Sequence, residues 1–492
     1  MKVILVNPRV TDVSTMPLGI LYIAAVLEKE GHTVLAYDPL VNITNDKVVN
    51  KILSDSPAVV GLSISTAQFA RGLDLAKKIK AINPKIKIVV GGVHISALPL
   101  DVMEYDCFDF AIFGEGEITM KELCRAIENG GNDFSKIAGL VYRKDGRIMQ
   151  NEKRELIKNL DELPLPARHL LPAEWYLQPP GKIRGYWLDR SITLMASRGC
   201  PYHCIYCGSH IIFGRTPRYR SPEKVVEEIE YLMKEYGVQG AWFNDDELTV
   251  NEDWLNKFCD ILIEKGINFK WSCQARVNQG SVELMKKMKK SGCIQIDYGV
   301  ESGSQRILNV LKKGTTIEQI KKKFKETKEI GIRTGASNVL GAPTETTEDI
   351  QMSIDLINEI KPDFADFYYL TPFPGTEFYE MAIKNKWMAK DDLTKGHWLF
   401  SRVIDLPTIS LNMPKEELAK VRSKLNNICM KRNYQTYFSS PDYVLKLMAI
   451  MANGLPGLPK GIKRFLKTGK IDAIAYAIFE YRRNHTYPPI FN

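Results

Sequence analysis

No apolar run in this sequence reaches the roughly 18 residues that a bilayer span needs. The short run Val3-Ile4-Leu5-Val6 follows directly on Met1-Lys2 and runs into Asn7-Pro8-Arg9, too brief for the apolar core of a secretory leader. A cytoplasmic protein is expected. Long blocks of one charge are missing too: a net charge of +9 is spread over 492 residues. That balance permits an anionic substrate or a membrane surface and gives no reason to expect nucleic acid as a partner. There is no short-period repeat and no low-complexity tract. Cysteine is sparse, nine in all. In a long cytoplasmic chain these read as thiols or metal ligands and not as a disulfide framework.

What is present is ordinary globular composition, 45% hydrophobic and 25% charged, in a length that suggests about three domains. Residues 1–150 alternate short apolar strands (3–7, 33–38, 58–64, 86–92, 110–114) with amphipathic helices (18–31, 67–82, 117–129), the pattern of a doubly wound parallel α/β sheet. Residues 151–189 carry Pro164, Pro166, Pro172, Pro179 and Pro180 and read as a surface linker. A second alternating run fills 190–390, with strands at 192–196, 240–244, 269–274, 294–300, 334–340 and 364–370. Six strand–helix units of this kind suggest a partial (β/α)6 barrel; a second open sheet is the alternative. Residues 391–492 lose the strand signal and read as a small helical domain. Helices are expected at 415–433, 443–451 and 471–483, with the Gly- and Pro-rich stretch 454–461 as a break.

The chemistry lies just after the first strand of the second run, in Ser197-Arg-Gly-Cys200-Pro-Tyr-His-Cys204-Ile-Tyr-Cys207-Gly. Three thiolates at Cys-x3-Cys-x2-Cys spacing can converge on one iron–sulfur cube, because soft sulfur suits iron. Three ligands leave one iron open to bind a substrate. A zinc site is the competing reading, with His203 and His210 nearby, but structural zinc takes four protein ligands. Cys107, Cys124, Cys259, Cys273, Cys293 and Cys429 lack ligand spacing and read as buried small hydrophobes.

The three-cysteine loop resembles that of the radical S-adenosylmethionine superfamily. The resemblance implies a 4Fe–4S cluster on Cys200, Cys204 and Cys207, with S-adenosylmethionine chelated to the open iron and split into a 5′-deoxyadenosyl radical. It places Tyr206 against the adenine. Asp245, Asp246 or Glu247, in Phe243-Asn-Asp-Asp-Glu247, would receive the amino group, although family members often carry Gly-Gly-Glu there. Glu301, in Gly299-Val-Glu301-Ser-Gly303, would meet the ribose or methionine part. Gly341 and Pro343 would form a turn on the adenine, and Arg276 would pair with a carboxylate. A purely structural role at a strand end is the alternative for each.

The first 150 residues resemble the cobalamin-binding domain that opens one large class of these enzymes. The likeness rests on Gly61-Leu-Ser-Ile-Ser65-Thr66, Gly91-Gly92-Val-His94 and Gly114-Glu115-Gly116-Glu117, all after sheet strands, where doubly wound sheets bind ligands. Glycines let backbone approach a large planar ring, and Ser65 and Thr66 can bond its edge amides. None of the seven histidines lies in an Asp-x-His-x-x-Gly motif, so no histidine is expected beneath cobalt, and His94 reads as a loop or rim residue. A plain Rossmann-like domain for another ligand is the alternative.

Together the resemblances cover about 370 residues. They imply a methyl group moved from S-adenosylmethionine, via methylcobalamin, to an unactivated carbon, with a one-electron reductant such as ferredoxin or flavodoxin as partner. Radical cyclisation or rearrangement without net methylation is the second enzymatic reading, and a cobalamin-binding sensor with a structural cluster is the non-enzymatic one. The substrate remains open among lipid, tetrapyrrole, peptide and other small molecules. The apolar and basic tail (443–451, 460–467) tilts it toward a lipid-like one and fits either a helical lid or a peripheral membrane contact.

Overall fold

The computed structural model describes residues 1–11, 15–177, 190–389, 412–414, 416–425 and 455–468, with single residues at 183, 184, 186, 188, 429, 445, 448 and 477. The first sheet is built from β1 (Lys2–Val6), β2 (Thr33–Tyr37), β3 (Val59–Ser63), β4 (Lys87–Gly91), β5 (Phe110–Ile112), β6 (Leu140–Lys144) and β7 (Arg147–Gln150), in the order β2-β1-β3-β4-β5-β6-β7. β1 is apolar on both faces after Lys2, as a central parallel strand covered by helices must be. The parallel part runs 2-1-3-4-5, so the winding reverses between β1 and β3. A crevice opens beyond the carboxyl ends of the strands at such a reversal.

β6 and β7 add an antiparallel hairpin at the far edge. Its turn is Asp145-Gly146, both at positive φ (51° and 76°), the backbone that a two-residue hairpin requires.

The second sheet holds β8 (Ser191–Leu194), β11 (Gly240–Phe243), β12 (Lys270–Ala275), β13 (Cys293–Glu301), β14 (Arg333–Leu340) and β15 (Phe364–Tyr369), all parallel, in the order β15-β14-β13-β12-β11-β8. β8 and β15 do not pair, so the sheet is a half-barrel. Helices Pro222–Tyr236, Glu252–Glu264, Ile317–Glu329 and Thr347–Ile360 cover its outer face. There Phe243, Phe258 and Trp271 meet edge to face with centroids 5.6–5.8 Å apart. A two-residue ribbon, β9 (Ser197–Arg198) against β10 (Arg218–Tyr219), sits at the mouth.

The segment between the sheets is fastened to both. Arg168 donates to Glu228 at 2.5 Å inside the barrel's outer layer. Trp175 and Tyr176 lie under Arg9, 5.1 and 5.5 Å from its guanidinium carbon, and Tyr176 Oη donates to Asp38 of the first sheet.

In the tail, a helix covers described residues 416–425. The expected break at 454–461 is shorter than the sequence suggests: Leu455–Gly457 forms a 3-10 turn, and a helix then runs Leu458–Thr468 straight through Pro459 and Gly461. Pro459 stands in the first turn, where a missing N–H costs nothing. The expected helix at 471–483 lies outside the described residues apart from Ala477, and most of 443–451 does too. No described helix is long and apolar enough to cross a membrane.

Candidate active site

After β8 the chain enters β9 and turns at Gly199, whose φ is 92° and whose Cβ, if present, would lie 2.8 Å from the Thr216 carbonyl oxygen. The loop that follows is pinned by Ile205, which is buried. Its N–H donates to the Leu311 carbonyl (3.2 Å) and its carbonyl accepts from Phe378 N–H (2.8 Å). Cys200, Cys204 and Cys207 are half-buried on this loop. Arg276, from the end of β12, places Nη1 3.4 Å from Cys204 Sγ and stacks 3.8 Å over the Tyr202 ring. Burial pushes the Cys200 thiol up to about 11 and raises Cys207 as well, so iron binding must release protons from both. Among the described residues no three His, Cys, Asp or Glu side chains converge closely enough to hold a single ion. Three thiols on one loop suit a cube that takes one thiolate per iron better than they suit one tetrahedral zinc.

The acidic segment after β11 faces this loop, with much of its bonding capacity already used. Asp245 is buried and accepts from Ala196 N–H (3.1 Å), Ser197 Oγ (2.6 Å) and Ser197 N–H. Asp246 accepts from Ser209 Oγ, and Glu247 from Thr249 N–H (3.2 Å) and its hydroxyl. Burial raises Asp245 and Glu247 to about 7. Asp245 thus braces the approach to Cys200, and of the three it is the least free to reach a ligand.

Glu301 stands at a register shift in β13 with φ 64°, a left-handed backbone that is strained for glutamate. Its carboxylate pairs with buried Lys313 at 2.7 Å and also bonds Tyr206. Burial first, then Glu301, drives the Tyr206 phenol well above its ordinary value. Gly299 makes the pair possible, since a Cβ there would lie 2.5 Å from Glu301 Oε1 and 2.6 Å from Lys313 Nζ. Gly341 turns at φ 85° beside buried Pro343 and donates its N–H to Glu345 at 2.6 Å.

At the winding reversal of the first sheet lies a cleft of about 860 Å³, partly open to solvent. Gly91, Gly92, Gly114, Glu115, Gly116 and Glu117 line it, together with Gly61 and Ser63. A Cβ on Gly114 would meet nothing within 4 Å, so any side chain there would take up cleft space. Gly92 has φ 102° and would clash with the Ile64 carbonyl oxygen at 2.6 Å. Ser65, Thr66 and His94 are not among the lining residues. Ser65 caps a short 3-10 turn with Gln68, and Thr66 Oγ1 lies 3.2 Å from His94 Nδ1 in the core. Among the described residues no histidine lines the cleft.

The far wall of the cleft comes from the mouth of the half-barrel, through Met195, Arg198, Ile212 and Phe213. Arg198, two residues before Cys200, bonds Glu115 (2.8 Å) and Glu117 (2.7 Å), and Arg218 bonds Glu115 (2.9 Å). Burial opposes the Arg198 charge, but Glu117 and Glu115 outweigh it and its pKa is raised. This ion cluster escaped the sequence reading, which weighed Glu115 and Glu117 only as cofactor contacts. Arg198 sits inside the quoted cysteine motif, yet nothing local ties it to residues 81 and 83 positions earlier.

Residues 6–124 match the family model of the B12 binding domain, and residues 194–357 match that of the radical SAM superfamily. The uncharacterized methyltransferase PH0819 of Pyrococcus horikoshii is 32% identical over 456 residues, which are 91% of this chain and 94% of that one. The chain belongs to the cobalamin-dependent radical S-adenosylmethionine methyltransferase class. Members of this class use a 4Fe–4S cluster, S-adenosylmethionine and cobalamin, and these are the cofactors here. The anaerobic magnesium-protoporphyrin IX monomethyl ester cyclase of Rubrivivax gelatinosus is 30% identical over 74% of this chain and 66% of its own length. Among solved structures, the cobalamin-dependent radical enzyme OxsB with aqua-cobalamin bound shares the fold of the class, with a TM-score of 0.68 at 16% identity over 99% of this chain and 80% of that one.

Proposed function

We propose that this enzyme moves a methyl group from S-adenosylmethionine to an unactivated carbon of a small-molecule substrate, with Cys200, Cys204 and Cys207 holding the cluster and the glycine-lined cleft holding cobalamin. The observation that carries this reading is the shared wall: Arg198 belongs both to the cleft and to the β-ribbon that leads into Cys200. A corrinoid in the cleft and a cluster on the loop would stand next to one another, so a radical made at one could meet a methyl carrier at the other.

The residues around the loop have separable tasks. Arg276 offsets thiolate charge at Cys204. The Lys313–Glu301–Tyr206 chain orients the aromatic ring before Cys207, against which adenine would lie. Asp246 and Glu247 present carboxylates toward the amino end of S-adenosylmethionine, while Asp245 holds the loop. Gly341 and Pro343 shape the opposite rim. The glycines Gly91, Gly92, Gly114 and Gly116 let backbone approach the corrinoid, and Glu115 and Glu117 hold the cleft wall through Arg198. Ser65, Thr66 and His94 support the β3 and β4 loops from beneath. The electron comes from a one-electron donor of ferredoxin or flavodoxin type.

Helix Leu458–Thr468 carries Lys460, Lys463, Arg464 and Lys467 with exposed Ile462 and Leu466 and no acidic residue, which supports a peripheral contact with an anionic membrane.

The test is anaerobic reconstitution followed by turnover with methyl-labelled S-adenosylmethionine. Label in the product and 5′-deoxyadenosine are expected together, and both should vanish in Cys204→Ala. The likeness to the cyclase favours a second reading, ring formation without methylation. It would be the answer if 5′-deoxyadenosine forms while the product gains no label.

A further inference from the structure

Arg9, Arg168, Arg198 and Arg220 are buried, and each meets a carboxylate: Asp38, Glu228, Glu115 with Glu117, and Glu228 again. A guanidinium in the interior requires such pairing, since a charge left alone there is costly. Arg276 is just as buried, at 5% exposed, yet it forms no ion pair among the described residues. Glu247 is close enough to feel its charge but is itself taken up by Thr249.

What Arg276 touches belongs to the cysteine loop. Its guanidinium carbon stands 3.8 Å over the ring of Tyr202, well inside the roughly 6 Å reach of a cation–π contact. Gln279 Nε2 donates to Tyr202 Oη, and the Gln279 N–H donates to the Arg276 carbonyl at 3.2 Å, so one turn after β12 grips both partners of the stack. Nε faces Asn278 Oδ1 at 3.4 Å, a stretched contact. Nη1 is left aimed at Cys204 Sγ, 3.4 Å away. A planar, rigid fork held at the ring and at Nε has little freedom to turn that nitrogen elsewhere.

We propose that Arg276 is a positioning residue for the electron-transfer step: clamped against Tyr202, it donates to the Cys204 sulfur and raises the reduction potential of the cluster held there. The inference rests on the reading above for the presence of the cluster and goes beyond it, because the family resemblance assigns Arg276 to a carboxylate instead. The cluster takes up one electron from the ferredoxin- or flavodoxin-type donor, so its reduced form carries one more negative charge. A fixed cation and an N–H···S bond stabilise that form more than the oxidised one. The same contact supplies the anion that the buried guanidinium otherwise lacks.

The experiment is an anaerobic potential titration of the holoenzyme, reconstituted with cluster and cobalamin and read by electron paramagnetic resonance of the reduced cluster. In Arg276→Gln the ratio of reduced to oxidised cluster at a fixed potential should fall about thirtyfold, a midpoint about 90 mV lower at about 59 mV per tenfold. Arg276→Lys keeps the charge without the planar fork and should fall between the two. Tyr202→Leu keeps the arginine and removes its clamp. It should move the midpoint the same way by about tenfold, and it carries the test if Arg276→Gln takes up no iron. Affinity of the oxidised holoenzyme for S-adenosylmethionine, measured by equilibrium dialysis, should stay within about twofold of the parental value in Arg276→Gln. Midpoints within about threefold of the parent in Arg276→Gln and Tyr202→Leu overturn the inference. A loss of affinity for S-adenosylmethionine with unmoved midpoints overturns it too, and returns Arg276 to the carboxylate of that molecule. A parent whose cluster titrates but which makes no 5′-deoxyadenosine on reduction refutes the radical reading and leaves the role of Arg276 standing.

Discussion

Replacing Arg198 by methionine tests whether the two sheets are held together through the buried ion cluster. The guanidinium is 4% exposed, and its partners Glu115 and Glu117 are 2% and 6% exposed. Glu115 keeps Arg218 at 2.9 Å and the Ile157 N–H at 2.8 Å after the change. Glu117 loses its ion pair with Arg198 and is left as a buried carboxylate at the first position of helix Glu117–Glu128, where the helix dipole returns only about 0.3–1 kcal/mol. Breaking a buried pair from one side costs about 3–5 kcal/mol. At about 2–4 °C per kcal/mol for a unit of 150–250 residues, the melting transition should drop by about 6–20 °C. Calorimetry on Arg198→Met, Glu117→Gln and the double variant supplies the measurement. The double variant should recover most of the loss, because it no longer buries an unpaired charge. A single variant that melts within about 2 °C of the parent, or a double variant no better than Arg198→Met, would refute the reasoning.

Two further outcomes follow from geometry. In Gly299→Ala the new Cβ would displace the Glu301–Lys313 pair. Displacements of about 1 Å can cost roughly 100-fold in rate, so 5′-deoxyadenosine formation should fall by about that factor while iron content stays at the parental level; an unchanged single-turnover rate would count against any role for the pair. His94 is pushed down to about 4, chiefly by burial, whereas in the unfolded chain it titrates near about 6.5. Its folded pKa is depressed, so between about pH 6.5 and pH 4 the unfolded chain takes up a proton that the folded one refuses. The His94 contribution to stability should fall with falling pH across that window, by about 3 kcal/mol at its lower end. Asp245 and Glu247, raised to about 7, act in the opposite direction over the same range, so the effect is read as a difference: the urea midpoint of the parent should drop relative to that of His94→Gln between about pH 7 and pH 4, and a constant difference would refute it.

Much of the fold was legible because the second sheet and the first five strands of the first are parallel. Strands buried on both faces, such as Lys2–Val6 and Val59–Ser63, stand out as short apolar runs between helices. Helix Pro222–Tyr236 was readable to the residue from Ser221 as cap, Pro222 at its start and Gly237 at its end. The hairpin β6–β7 was passed over, although its Asp145-Gly146 turn was a usable signal. The candidate site was legible where chemistry is local, as in the cysteine loop. It was illegible where partners come from afar: Lys313 reaching Glu301, and Arg198 reaching Glu115 and Glu117. Such pairs depend on strand register and on the docking of two sheets, and no single-sequence period encodes either.

The strap between the sheets bears on how the enzyme is loaded. With Arg168 anchored on one side and Tyr176 on the other, the strap ties the halves against parting like a clam. A bulky corrin must then slip in by the solvent-facing rim of an already assembled body. Amide hydrogens near Arg168 and Tyr176 should accordingly exchange at the same slow pace before and during uptake, and a burst of exchange there as cobalamin enters would contradict that route.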